Sequence, residues 1–122
     1  MSVPSGVTLA VVSNDLGPAA SEVVFAGSGT YTAADFTITA SDGLGFEPGY
    51  VMLINLTDRV TMEQWVASGL DGGNNAKGLK SVAAGTRTYE ASGLSVSGRT
   101  VTVDVSVALL TDNDDFILVC RR

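Results

Sequence analysis

The sequence contains no histidine. That absence removes the commonest general base, the commonest metal ligand and every histidine-containing catalytic triad. It has one cysteine, Cys120, so no disulfide can close within the chain and a disulfide scaffold is excluded. With no base beside it, Cys120 reads as a small buried apolar residue of the last strand. Basic residues number seven against 13 acidic ones, a formal charge of -6, and the only adjacent basic pair is Arg121-Arg122. Nucleic acid is therefore not expected as a partner, because displacing phosphate counterions needs a concentrated positive surface. No apolar run is long enough for a spanning helix, and the start of the chain has neither a basic segment nor a continuous apolar one. No membrane partner and no signal peptide are expected, and synthesis in a cytoplasm follows.

What is present is the material of one compact domain. The 122 residues are 45% hydrophobic and 16% charged, which suits a single buried core better than a disordered acidic chain. The dominant hydrophobic period is two. Val7, Leu9 and Val11 alternate with Thr8 and Ala10, Phe36 and Ile38 with Thr37 and Thr39, and Val101, Val103, Val105 and Val107 with Thr102, Asp104 and Ser106. Turn signals separate these runs at Ser13-Asn14-Asp15, Gly27-Ser28-Gly29, Ser41-Asp42-Gly43, the 71–75 segment, Ser97-Gly98 and Asp112-Asn113-Asp114-Asp115. The spacing predicts an all-β, antiparallel, single-domain β-sandwich or partly open barrel with long glycine-rich loops, over residues 7–122, preceded by a short arm at 1–6.

The stretch "GFEPGYVMLINLTDRVTMEQWV", 45–66, poses the functional question. Its polar centre divides two apolar runs and could be a binding site or a turn between core strands. Alternation of Val60, Met62, Gln64 and Val66 with Thr61, Glu63 and Trp65 favours a strand over a helix. The stretch then reads as a hairpin turning at Thr57, Asp58 and Arg59. Tyr50 to Ile54, apolar throughout, predicts a strand covered on both faces. Val51, Leu53, Trp65, Val101 and Val103 are the expected core.

Candidate chemistry is sparse. Glu47, Glu63 and Glu90 are carboxylates of the type used in sugar hydrolysis, but no spacing pairs two of them, so no catalytic residue is expected. Asp112-Asn113-Asp114-Asp115 offers hard oxygen ligands for Ca²⁺ but lacks the glycine and closing glutamate of an EF-hand loop, which favours a turn. The "DGGNNAKG" segment at 71–78 resembles a phosphate loop only in its glycines, with no helix and no Ser or Thr after its lysine. No metal and no cofactor are expected.

The order "GFEPGYVMLINLTDRVTMEQW", then "KSVAAGTRTYEASGLSVSGRTVTVDVSV", then a short final strand resembles small virion proteins of tailed bacteriophages, of the head decoration, cement or minor capsid type. The residues that carry the resemblance are Phe46 and Pro48, Ile54 to Arg59, Trp65, and Ala83 to Thr88. It implies a non-enzymatic structural protein that is made in the host bacterial cytoplasm. It would bind the outer surface of the major capsid protein lattice, clustering as a homo-oligomer with a trimer favoured. The alternative is a tail, neck or fibre component or a carbohydrate-binding β-module, with Trp65, Tyr89 or Tyr31 stacking on a sugar. Because the strands commit their apolar faces to a core, the capsid interface is expected among loop tips and sheet edges, including Ser2, Val3, Pro4, Ser5 and Gly6 of the arm, and Asp71, Gly72, Gly73, Asn74 and Asn75.

Overall fold

The computed structural model describes residues 7–14, 22–31, 35–65, 78–90, 93–108 and 110–122. The arm at 1–6 and the loop at 71–75, both expected at the capsid interface, lie outside the described residues. Among the described residues, ten strands run in chain order: β1 (Val7–Asn14), β2 (Glu22–Gly29), β3 (Asp35–Ile38), β4 (Tyr50–Asn55), β5 (Val60–Trp65), β6 (Gly78–Ser81), β7 (Arg87–Glu90), β8 (Leu94–Ser97), β9 (Thr100–Asp104) and β10 (Phe116–Arg121). They form two antiparallel sheets, one of seven strands in the order β1-β2-β10-β4-β5-β6-β7 and one of three in the order β3-β9-β8. The all-β sandwich expected from the alternation is the observed fold.

The larger sheet turns one face to the smaller. From it come Val23, Phe25, Val51, Leu53, Met62, Phe116, Leu118 and Cys120, and from the smaller sheet Phe36, Ile38, Leu94, Val96, Val101 and Val103, all in one buried cluster. Period two places these side chains on a common face because successive Cβ atoms point to opposite sides of the sheet. Val51, Leu53, Val101 and Val103 are core residues as expected, and each is fully buried. Cys120 is buried too, and its desolvation pushes the thiol up to about 12, so it stays protonated and unreactive at neutral pH.

Trp65 corrects the sequence reading. It is 47% exposed. In β5 the buried positions are Val60, Met62 and Gln64, so Trp65 shares the outward parity of Thr61 and Glu63. Size and hydrophobicity argued for the core, but strand parity decides. Three other readings also change. Tyr50 to Ile54 alternates between buried and half-buried positions, so β4 is central in its sheet but its two faces are unequally buried among the described residues. The alternation of Val101, Val103, Val105 and Val107 does not continue as strand, because a helical turn, α1 (Val105–Ala108), follows Asp104. There Asp104 Oδ1 accepts from the Ser106 N–H and hydroxyl at 3.1 and 2.7 Å, the pattern of an N-cap.

Gly27-Ser28-Gly29 is likewise no turn but the end of β2. Gly27 pairs with Phe116, and a Cβ at Gly27 would stand 2.4 Å from the Phe116 ring. The glycine is there to leave room for that ring. Gly27→Ala should therefore destabilise the domain by about 1 to 3 kcal/mol through overpacking, and Phe116→Leu in the same chain should recover part of the loss. Denaturant titration of both variants checks this, and a Gly27→Ala chain as stable as the parent would contradict it.

Candidate functional site

The polar centre of the 45–66 stretch is the turn that joins β4 to β5. Asn55 pairs with Val60 across the hairpin, and Leu56 to Arg59 make the connection, with Arg59 at φ 58°. The buried Asn55 side chain works in two directions. Its Oδ1 accepts from the N–H groups of Thr57 and Asp58 at 3.1 and 3.0 Å, and its Nδ2 donates to Asp114 Oδ2 at 3.0 Å. Asp114 is only 3% exposed. The same oxygen accepts from the Thr111 N–H at 2.9 Å and the Thr111 hydroxyl at 3.0 Å.

The two turns singled out by the sequence are thus one structure. Leu56 N–H donates to the Asp115 carbonyl at 2.8 Å, and Asp115 N–H donates to Thr57 Oγ1 at 3.0 Å. Tyr31 completes the junction from the third side, with its hydroxyl donating to the Asp114 carbonyl at 2.7 Å and its N–H to Asp112 Oδ1 at 3.0 Å. Its ring contacts Phe36 and Phe116, so Tyr31 belongs to the core margin and is not placed to stack on a sugar. Burial, and then the charges of Asp114 and Asp115, push the Tyr31 hydroxyl up to about 12. Asp112 and Asp114 spend these oxygen atoms on backbone and side-chain donors, as an Asx-rich turn does. Among the described residues, no three metal-binding side chains converge.

The chemically distinctive surface lies on the outer face of the seven-stranded sheet. Ladder register sets Val24, Val119 and Met52 in one row, continued by Glu63, Leu79 and Tyr89, and sets Ala26, Ile117, Ile54 and Thr61 in the next. Most of these side chains are half-buried by their neighbours, and Val119 at the centre is buried outright. The result is a largely apolar strip across that face.

At one end the strip meets a cluster of rings and charges. Tyr50 and Trp65 pair across β4 and β5 with ring centroids 5.4 Å apart and an interplanar angle of 60°. The Tyr50 hydroxyl donates to Glu63 Oε2 at 2.7 Å. Burial, and then that bond, push the Tyr50 hydroxyl up to about 12, so it remains a donor at neutral pH. The Arg121 guanidinium lies 5.8 Å from the centre of the Tyr50 ring and donates through Nε to Glu22 Oε2 at 2.7 Å. Its bond to Glu22 raises the Arg121 pKa further, which keeps the cation fixed. This cluster was not foreseen as a site. Its members come from β2, β4, β5 and β10, and only ladder register brings them together.

A second feature is an open cleft of about 430 Å³ lined by Gly45, Phe46, Glu47, Arg99 and Arg122. The Arg122 guanidinium stacks 5.4 Å from the Phe46 ring centre. Glu47 stands there and Glu63 on the outer sheet face, so these two carboxylates are not brought together. The Glu90 side chain is outside the described residues. No protein-family model, curated protein or solved structure matches this chain.

Proposed function

We propose that this chain is a non-enzymatic virion structural protein, a head decoration protein that binds the outer surface of the major capsid protein lattice and stabilises the shell. The observation that carries the reading is the outer face of the seven-stranded sheet. There an apolar strip through Val24, Ile117, Met52 and Ile54 ends in the Tyr50, Trp65 and Arg121 cluster. Aromatic and arginine side chains beside half-exposed aliphatic ones are the composition of protein-binding surfaces. Such a face suits adhesion to a partner surface, and the resemblance of residues 45–107 to decoration proteins supplies the partner. A decoration protein can act through a modest interface per copy, because bridging neighbouring coat subunits raises effective concentration once the lattice exists. The arm at 1–6 and the 71–75 loop remain part of the proposal as capsid contacts.

The experiment adds the purified chain to particles assembled without it and measures occupancy and genome retention under heat and osmotic stress. Decorated particles should outlast bare ones. Met52→Asp should lower occupancy by about tenfold or more, because it sets an uncompensated charge in the middle of the strip. Unchanged resistance of bare particles, or label found on the tail, would overturn the reading.

A second reading is favoured by one observation, the exposed Trp65 ring beside Tyr50, Glu63 and Arg121. An aromatic face next to a carboxylate and a guanidinium also suits a pyranose ring, which offers C–H groups to the former and hydroxyls to the latter. In that case the chain is a carbohydrate-binding module of a tail, neck or fibre. Glycan binding that is lost in Trp65→Ala, together with no binding to bare shells, would select it.

A further inference from the structure

Two strands close the seven-stranded sheet, β1 at one end and β7 at the other. β1 is blunted by a register shift between Val11 and Ser13, the kind of bulge that discourages pairing with another chain. β7 is short and carries Arg87 and Glu90, but it has no such register shift. Its four residues pair in unbroken register with β6, it contains no proline, and residues 83–89 are all exposed. Tyr89, at 84%, is the most exposed large hydrophobic side chain among the described residues. Among those residues no strand pairs with the far side of β7.

The hairpin reveals which backbone groups face that edge. Val82 N–H donates to the Thr86 carbonyl at 3.1 Å, so the 82 and 86 pair is hydrogen-bonded. In an antiparallel ladder such pairs alternate with non-bonded ones. With Ser81 opposite Arg87, Lys80 opposite Thr88, Leu79 opposite Tyr89 and Gly78 opposite Glu90, the backbone of Thr88 and Glu90 turns inward to β6. Arg87 and Tyr89 then direct their N–H and C=O groups outward. Both side chains lie on the outer face, the face of Leu79 and Ser81, because paired residues share a face.

We propose that β7 is a docking edge for a second copy of this chain, paired antiparallel about a two-fold axis so that Arg87 of each copy faces Tyr89 of the other. A two-fold axis normal to the sheet keeps side chains on their faces, so only registers that pair residues of equal parity are allowed. Centring on Thr88 joins the outward groups of Arg87 to those of Tyr89 in both directions and makes Thr88 a non-bonded pair with itself. It also lays each guanidinium against the facing phenol ring, a cation–π arrangement. Shifting the centre to Arg87 would oppose two like charges, and shifting it to Tyr89 would push Arg87 past the end of the strand. The chosen register therefore satisfies the backbone and the charges together, as an isologous interface requires. It joins both outer faces into one continuous surface, whatever that surface binds, and it favours a two-fold assembly over the trimer expected from the resemblance.

The test is the oligomeric state of the full chain by sedimentation equilibrium, with two variants. Tyr89→Pro removes an outward N–H and no bond to β6, a substitution that edge strands accept. It should raise the dimer dissociation constant by at least about tenfold while the chain stays folded by circular dichroism. Should Tyr89→Pro not fold, Thr88→Cys still decides. A non-bonded antiparallel pair brings Cα atoms to about 4.5 Å, within disulfide reach, so mild oxidation should cross-link two copies through Cys at 88. The turn variant Ala84→Cys should not cross-link at a comparable rate, and the native Cys120 is buried and stays out of the reaction. A monomer at all concentrations, a trimer, a dimer indifferent to Tyr89→Pro, or Thr88→Cys cross-linking no faster than Ala84→Cys would each overturn the proposal.

Discussion

Leu53→Ala is expected to destabilise the domain by about 2 to 5 kcal/mol, from lost transfer energy and from the cavity left behind. Leu53 is fully buried in the central strand β4, opposite Leu118 on one side and Met62 on the other, and both neighbours are fully buried as well. Those strands are held by ladders on both flanks, so the site cannot collapse to fill the void and the upper part of the range applies. Trp65→Ala removes a larger side chain yet should cost far less, about 1 kcal/mol, because nearly half the ring is already in water and the main loss is its contact with Tyr50. Denaturant unfolding of the two variants separates burial from size. If Trp65→Ala proved the more damaging, the ring would have to be part of the core after all.

Asp114→Ala is the second large effect, expected at about 2 to 4 kcal/mol. It strands the buried Asn55 amide donor and the Thr111 donors that now end on one carboxylate oxygen. The same junction predicts a pH signature. Burial alone would raise the Asp114 pKa, but the Thr111 N–H, the Asn55 amide and the Thr111 hydroxyl outweigh it and hold the group below its ordinary 3.8. Asp58, which shares a hydrogen bond with Asp114, is pushed above 3.8 by that bond first and then by desolvation and the neighbouring charge.

An acid lowered in the folded state adds stability above its unfolded value and loses it as pH falls through the folded value. An acid raised in the folded state adds stability below its unfolded value and loses it as pH rises through the folded one. Relative to a Asp58→Asn, the parent should therefore gain stability as pH falls from neutral toward 3.8. Relative to Asp114→Asn, it should lose stability as pH falls further below 3.8. Melting temperatures of the three chains across that range check both signs. An Asp58→Asn profile parallel to the parent's from neutral to 3.8 would remove the shared proton from the account.

Alternation was enough to determine the fold class and most of the core. A residue on a half-buried strand shows its face through its neighbours at two-residue spacing, and Phe36, Ile38, Val101 and Val103 are buried accordingly. The same parity puts Trp65 outward with Thr61 and Glu63, against the expectation from its size and hydrophobicity that it belongs to the core. Turn chemistry was legible too, since Asn, Asp, Thr and Gly announce a bend through local bonds at Asn55 to Arg59 and Asp112 to Asp115. What local sequence does not carry is pairing between distant strands. Asn55 bonds to Asp114 59 positions away, Arg121 to Glu22 99 positions away, and Phe116 lies over Gly27, which local composition marks as a turn. These contacts depend on β10 running between β2 and β4, an arrangement set by the ladder register of the whole sheet. Tertiary structure therefore decided that two polar turns are one buried junction, and that Tyr50, Trp65, Glu63 and Arg121 meet on one sheet face.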